Sequence, residues 1–113
     1  MTRHNPIVCL RHMLDHASEA AAMAHDRRRE DLDRDRQLNL SLVRLLEIVG
    51  EAASRIDPPV RQQYAGVPWA DIIGLRHRLA HGYDAVNFDI LWTIVKQDLP
   101  PLIARLQDIL REV

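Results

Sequence analysis

The segment from Asp35 to Ile56 reads DRQLNLSLVRLLEIVGEAASRI, and its pattern decides the fold class. Apolar residues recur in it at intervals of three and four, which is the period of one face of an α-helix. The stripe comprises Leu38, Leu42, Leu45, Val49, Ala52 and Ile56, widened by Val43, Leu46 and Ala53. So broad an apolar face predicts neighbours on two sides, or a contact with a second copy of the chain. Gly50 lies inside it at a cost of about 1 kcal/mol relative to alanine, which indicates close packing.

Two further helices are predicted before and after this segment. The first runs from about Asn5 to His25, and its second half is mostly small residues that allow a neighbouring helix to approach closely. A short third helix runs from Trp69 to about His81, with Pro68 in its first turn and Gly82 as its stop signal. The second helix is predicted to end at Asp57, Pro58 and Pro59, and residues 60–67 read as a connector with one short turn around Arg61 to Tyr64.

A fourth helix begins after the capping residue Asn87 and continues to the end of the sequence. Pro100 and Pro101 lie inside its apolar pattern, which resumes in phase after them, so we expect a proline kink rather than a stop. The prediction is an all-α, up-and-down four-helix bundle with a short third helix and a proline-kinked last helix.

Length and composition agree with this fold. The 113 residues suffice for one domain, predicted to span residues 1–113, and a hydrophobic content of 47% with 4% aromatic residues suits an aliphatic helical core. The net charge of −1 argues against a protein that binds nucleic acid through a broad basic surface, but it is compatible with a local basic site. Cys9 is the single cysteine, and neither a signal peptide nor a membrane-spanning run is evident, so we expect a cytoplasmic protein without a membrane partner.

For three clusters of polar residues, we favour a structural role over a functional one. His12 and His16 have the spacing of a metal clamp without an identifiable third ligand. Residues 25–36 read HDRRREDLDRDR. The arginines could contact RNA, but the alternation of charges better fits a solvated segment that contains several ion pairs. Glu47 and Glu51 could form a carboxylate site, although a solvated edge or pairing of one member with an arginine is more common.

The most reactive set of side chains lies at the end of the third helix, where residues 75–84 read LRHRLAHGYD. Histidine exchanges protons near neutral pH, and arginine stabilises a phosphate that gains charge in a transition state. Together they suit metal-independent RNA cleavage. Arg76 and His81 are about 140° apart on a continuous helix, so they can share a target only at a fraying helix end or across a dimer. Judged by spacing alone, arginine and histidine at a helix end are more often surface groups that offset the helix dipole than catalytic residues.

The residues PWADIIGLRHRLAHGYDAVNFDILWTIVKQDLPPL and LLEIVGEAASRI resemble the HepT-like branch of the HEPN superfamily. The family motif is arginine, a polar residue, three further residues, histidine, any residue and tyrosine. In this chain Arg76, His77, His81 and Tyr83 occupy the defined positions, and no position of the motif is missing. Together with the first helix, the resemblance covers nearly the whole chain.

The resemblance implies a metal-independent endoribonuclease without a cofactor, acting as the toxin of a type VII-like toxin–antitoxin system. Two motifs line one cleft of a homodimer, with Arg76 and His81 as catalytic residues. The implied antitoxin is a minimal nucleotidyltransferase that silences the toxin by transferring AMP to Tyr83, and a larger hetero-complex of the toxin with this antitoxin stays open. We assign substrate-binding or supporting roles to His77 and Arg78.

Two other hypotheses stay open from the sequence. The chain could be a non-catalytic helical module that docks a nucleotidyltransferase or a nucleotide, in which case Tyr83 is only a contact or modification site. A metal site at His77 and His81 is the weaker hypothesis, because further ligands are not evident. Cleavage of RNA by the purified protein separates the enzyme from the binding module.

Overall fold

The computed structural model describes residues 5–80 and 85–113, and the regular elements in these ranges are helical. The helices are α1 (Pro6–Met23), α2 (Asp31–Arg34), α3 (Arg36–Ser54), α4 (Pro58–Gln63), α5 (Trp69–Ile73), α6 (Leu75–Leu79), α7 (Phe88–Thr93) and α8 (Leu99–Arg111), and a π-helical turn (Ile94–Asp98) joins α7 to α8. The prediction of an all-α fold is confirmed.

The core lies between α1, α3 and the C-terminal helical segment. α1 packs against both α3 and α8, while α3 also packs against α5 and α6. The small residues on α1 permit this close packing, since Ala17 and Ala20 are fully buried. The predicted α3 stripe is buried as expected, from Leu38 to Ile56. One contiguous cluster of buried side chains therefore connects the long helices with the short ones.

Side-chain caps explain where three helices begin. The Asn5 side chain accepts a hydrogen bond from the Ile7 amide at 2.9 Å, and Asp35 accepts one from the Leu38 amide at 3.0 Å. Asn87 accepts one from the Ile90 amide at 3.1 Å, which confirms its predicted role. Each cap satisfies an amide that has no partner inside its helix.

The predicted third helix is interrupted and shorter than expected. It divides at Gly74 into α5 and α6, and it ends at Leu79 rather than at His81. Ala80 is already extended, with φ −63° and ψ 133°, and it forms an isolated antiparallel bridge with Val86. Pairing with residues beyond the motif thus ends the helix before the predicted stop at Gly82, which lies outside the described residues.

The prolines also act differently from the prediction in two places. Pro58 and Pro59 open the helix α4 instead of only ending α3, because proline is well suited to a first helical turn. In the last helix, Pro100 and Pro101 lie in the first turn of α8, and the irregularity precedes them as the π-helical turn. A proline ring clashes with the carbonyl four residues earlier, so the widened turn relieves the helix where a simple kink was expected.

Candidate active site

Arg76 is held at the surface by a helix of only five residues. Leu75 and Leu79, on either side of it in α6, are 3% and 2% exposed and anchor the helix in the core. The Arg76 side chain points outward and is 84% exposed. Its Nε atom lies 3.6 Å from Oε2 of Glu47 on α3. The burial of two leucines therefore presents one arginine to solvent beside a carboxylate.

Gly50 brings α3 and the motif region close together. A Cβ atom at this position would lie 2.9 Å from the backbone oxygen of Ile72, closer than real Cβ atoms approach. The sequence prediction of close packing at Gly50 is confirmed. The absent side chain lets α3 pack against α5, the helix that directly precedes α6.

The two arginines of α6 are held by different parts of the fold. Arg78 Nη2 lies 3.5 Å from Oδ2 of Asp98 in the π-helical turn, whereas Arg76 faces Glu47 on α3. His77, between them, is exposed. Arg76 is thus available on the α3 side of α6, and Arg78 is tied to the C-terminal helical segment.

His81 and Tyr83 lie outside the described residues, as do Gly82 and Asp84, but both ends of that segment are defined. The Asn87 amide donates a hydrogen bond to the Leu79 carbonyl at 3.0 Å, next to the Ala80–Val86 bridge. The helix that carries Arg76 ends at Leu79, and Ala80 is already extended, so this helix stops before His81. A shared target for Arg76 and His81 stays a prediction, because His81 lies outside the described residues.

Two hollows flank the Arg76–Glu47 contact. One, of about 200 Å³, is lined mainly by apolar residues: Val43, Leu79, Ala80, Ala85 and Val86. The other, of about 110 Å³, is lined by Gly50, Glu51, Ser54 and Ile73. Arg76 and Glu47 line both hollows. Sequence reasoning anticipated an arginine partner for one of the two glutamates, but spacing could not assign Glu47 to Arg76.

The second glutamate has an arginine partner of its own. Glu51 Oε1 lies 3.6 Å from Nη1 of Arg44, and both residues belong to α3. Glu47 and Glu51 therefore make separate ion pairs rather than a joint carboxylate site.

The two histidines of α1 are accounted for by contacts with each other. The Nδ1 atom of His16 lies 2.7 Å from the His12 carbonyl oxygen, and the two rings meet edge to face. Across residues 5–80 and 85–113, no group of three histidine, cysteine or acidic residues is arranged to hold a metal ion. Cys9 is buried, and this burial raises the pKa of its thiol, although Arg55 lowers it in part.

The arginine-rich segment 25–36 is the ion-paired segment that the sequence indicated. Arg27 donates to Asp35 at 2.9 Å and to Asp31 at 3.3 Å, and hydrogen bonding to Asp35 and Asp31 raises the pKa of its guanidinium. Arg29 donates to Asp89 at 2.7 Å and lies over the Phe88 ring. Arg27 therefore makes ion pairs within the segment, and Arg29 connects the segment to the first turn of α7, so neither arginine contributes to an open basic patch.

None of the helices in the described ranges has the length and apolar character needed to cross a membrane.

Comparison with known proteins assigns the family. The family model described as "Ribonuclease HepT-like" matches residues 13–109. A candidate RNase from Caldanaerobacter subterraneus subsp. tengcongensis is 36% identical over 83 residues, which are 74% of each chain. A candidate RNase from Methanocaldococcus jannaschii is 29% identical over 102 residues, 90% of this chain and 94% of the relative.

A third relative carries the family name itself. A candidate ribonuclease HepT from Thermococcus cleftensis is 34% identical over 73 residues, 65% of this chain and 66% of that protein. No solved structure gives a significant match. The family match, which includes the exposed arginine of α6 and most of the helical core, confirms the resemblance stated from the motif: the chain belongs to the HepT-like ribonuclease family.

Proposed function

We propose that the chain is a metal-independent endoribonuclease that uses Arg76 and His81. The observation that carries the proposal is the exposed Arg76 guanidinium at the end of a helix that stops two residues before His81. In the reaction, a base removes the proton of an RNA 2′-hydroxyl, and its oxygen attacks the adjacent phosphorus. The bond from phosphorus to the 5′ oxygen breaks, an acid protonates that oxygen, and a 2′,3′-cyclic phosphate remains.

His81 supplies the proton transfer in this mechanism, because imidazole exchanges protons near neutral pH. Arg76 stabilises the charge that develops on the phosphorane, since a guanidinium offers forked donors to phosphate oxygens. Arg78 and His77 have supporting roles. Arg78 pairs with Asp98, so it contacts an RNA phosphate only by breaking this ion pair or by donating to both groups at once.

We further propose that the active unit is a homodimer in which two motifs face one cleft. Two copies would supply the two histidines that a base and an acid require. In support, α6 presents Arg76 outward beside two open hollows rather than inside an enclosed cavity of one chain.

We propose that the protein is the toxin of a two-gene system, silenced by a minimal nucleotidyltransferase that transfers AMP to Tyr83. The phosphate of AMP would neutralise nearby arginine, and its nucleoside would block the cleft. Tyr83 is two residues from His81 in the sequence, so modification and catalysis concern the same segment.

The test is cleavage of a single-stranded RNA with a fluorophore and a quencher, in excess EDTA, by purified protein. We expect the unmodified protein to cleave, His81→Ala to lose cleavage, and His25→Ala to retain it. His25 is a matched control because it is an exposed histidine that pairs with Asp26 rather than with a residue of the motif. Cleavage by His81→Ala, or a strict need for added metal, contradicts the mechanism. RNA binding without cleavage by the unmodified protein favours the binding-module hypothesis.

A further inference from the structure

Glu47 is the acidic residue that contacts Arg76 within the described ranges. Its Oε2 atom lies 3.6 Å from Arg76 Nε, and its side chain is 24% exposed against 84% for Arg76. The carboxylate is therefore the more buried member of the pair. Glu47 belongs to α3 and lies next to the candidate site.

The length and direction of this contact leave the arginine able to bind a phosphate. At 3.6 Å the two atoms are beyond the usual N–H···O hydrogen-bond distance of about 2.7–3.2 Å. The approach is to Nε, on one edge of the planar guanidinium. The two terminal Nη groups form the other edge, and this fork matches two oxygens of a phosphate. Glu47 can thus orient Arg76 without occupying the edge that a phosphate would use.

The backbone beneath Glu47 is held in place by close packing. Gly50 follows Glu47 by three residues, so both lie on the same side of α3. The approach of the Ile72 carbonyl to Gly50 sets the spacing between α3 and the helical pair that carries Arg76. Glu47 therefore projects from a closely packed part of α3 towards a long side chain that is largely exposed.

We infer that Glu47 is a positioning residue of the ribonuclease site, whose carboxylate attracts the Nε edge of Arg76 so that the Nη edge is turned towards the scissile phosphate. This inference rests on the proposed role of Arg76 in stabilising the phosphorane. Glu47 itself touches neither the RNA nor the leaving group in this scheme. Its effect is on the geometry of another side chain, and small misplacements of a catalytic group cost on the order of a hundredfold in rate.

Glu51 provides a matched control on the same helix. It lies one turn after Glu47, has the same charge, and pairs with Arg44 at 3.6 Å instead of with Arg76. Glu47→Gln and Glu51→Gln each remove one negative charge while keeping the size of the side chain. The two variants therefore separate an effect on Arg76 from a change in net charge or in the stability of α3.

The first measurement is independent of catalysis. The ¹⁵Nε–¹Hε relaxation of the arginine side chains reports how restricted each guanidinium is, and Arg76→Lys assigns the Arg76 signal by its loss. We expect the order parameter of Arg76 Nε to fall in Glu47→Gln and to stay unchanged in Glu51→Gln. Equal order parameters for Arg76 in the wild type and in Glu47→Gln overturn the inference, whether or not the protein cleaves RNA.

The second measurement is steady-state cleavage of the quenched RNA. We expect Glu47→Gln to lower kcat by on the order of tenfold with little change in KM, and Glu47→Asp, which keeps the charge, to recover part of the loss. In an Arg76→Lys background, which lacks the Nε edge, Glu47→Gln should add nothing. A kcat equal to that of Glu51→Gln, or a rise in kcat, overturns the inference. Failure of the wild type to cleave rejects the proposed function instead, and the relaxation measurement still decides the role of Glu47.

Discussion

The Asn87 amide donates a hydrogen bond to the Leu79 carbonyl, with 3.0 Å between nitrogen and oxygen. These residues belong to the end of α6 and the start of α7, and the chain between them contains His81 and Tyr83. Together with the Ala80–Val86 bridge, the hydrogen bond fixes both ends of the motif segment to the helical core. Residues that stabilise this junction should therefore affect RNA cleavage as well as folding.

Asn87→Ala tests that junction. The substitution removes the side-chain cap of α7, the bond from the Ile90 amide, and should lower the free energy of unfolding by about 1 kcal/mol. Asn87→Asp keeps a capping oxygen and should be close to the wild type. Urea unfolding of the three proteins gives the comparison, with the cleavage rate measured on the same samples. An alanine variant as stable as the wild type contradicts the assigned cap.

Gly50→Ala tests the close approach of α3 to the motif region. Alanine favours a helix interior by about 1 kcal/mol over glycine, yet its Cβ would meet the Ile72 carbonyl oxygen at 2.9 Å. Because that atom belongs to the backbone, we expect the clash to prevail and the variant to be destabilised by about 1–3 kcal/mol. Thermal unfolding measures the change. A gain in stability would mean that α5 moves away from α3 at little cost.

Acid stability should depend on Asp35. Hydrogen bonds from Arg27 and from the Leu38 amide lower the pKa of its carboxyl below the ordinary value, as donation from the Arg28 amide chiefly does for Asp31. A lowered folded-state pKa stabilises the fold above the unfolded value of about 3.9, and this contribution is lost as the pH falls through the folded-state value.

Asp35→Asn should therefore lower the Tm at pH 7, with a difference from the wild type that narrows as the pH falls below about 3.9. Asparagine keeps the cap of α3, so the variant isolates the charge. Arg27→Gln removes the main hydrogen-bond partner of Asp35. In an Arg27→Gln background, Asp35→Asn should therefore lower the Tm at pH 7 by less than it does in the wild type. Calorimetry between pH 7 and pH 2.5 gives both curves, and a difference that widens on acidification contradicts the assignment.

Arg76→Lys separates charge from geometry at the candidate site. Lysine keeps the positive charge but lacks the forked donors, so we expect kcat for RNA cleavage to fall on the order of a hundredfold. Arg44→Lys is the control, because Arg44 also lies on an exposed face and pairs with a glutamate. Cleavage by Arg76→Lys at the rate of the control would show that a point charge is sufficient.

Modification of Tyr83 can be tested by mass spectrometry. Co-expression with its cognate nucleotidyltransferase should add AMP to the intact protein and abolish cleavage, and Tyr83→Phe should remain unmodified and active. Tyr64 is a useful internal control, because its ring is packed against the core and should carry no AMP. Full cleavage by the AMP-bearing protein contradicts silencing by this modification.

The sequence predicted the long helices well, because their apolar stripes have one period and their caps are local. Asn5, Asp35 and Asn87 each act within three residues of themselves. The end of α6 could not be predicted in this way, since it depends on the pairing of Ala80 with Val86 across the motif. The local pattern predicted a helix to about His81, and the pairing of Ala80 with Val86 ends it at Leu79 instead.

The candidate site was likewise predicted only in part from the sequence. Arg76 was identified from the motif, but its contact with Glu47 joins residues 29 positions apart. Nothing in the spacing of Glu47 and Glu51 distinguishes their partners. The assignment required the packing of α3 against α5 and α6, for which Gly50 was the readable local signal.

The five-residue length of α6 has a consequence for when activity arises. A helix so short is not stable on its own in water, and Leu75 and Leu79 hold it only once the core has formed. A nascent chain, or one that has partly unfolded, carries every residue of the motif but does not present Arg76 in a defined orientation. On the proposed mechanism, RNA cleavage therefore requires completed folding, and a nascent chain on the ribosome would not yet have this activity.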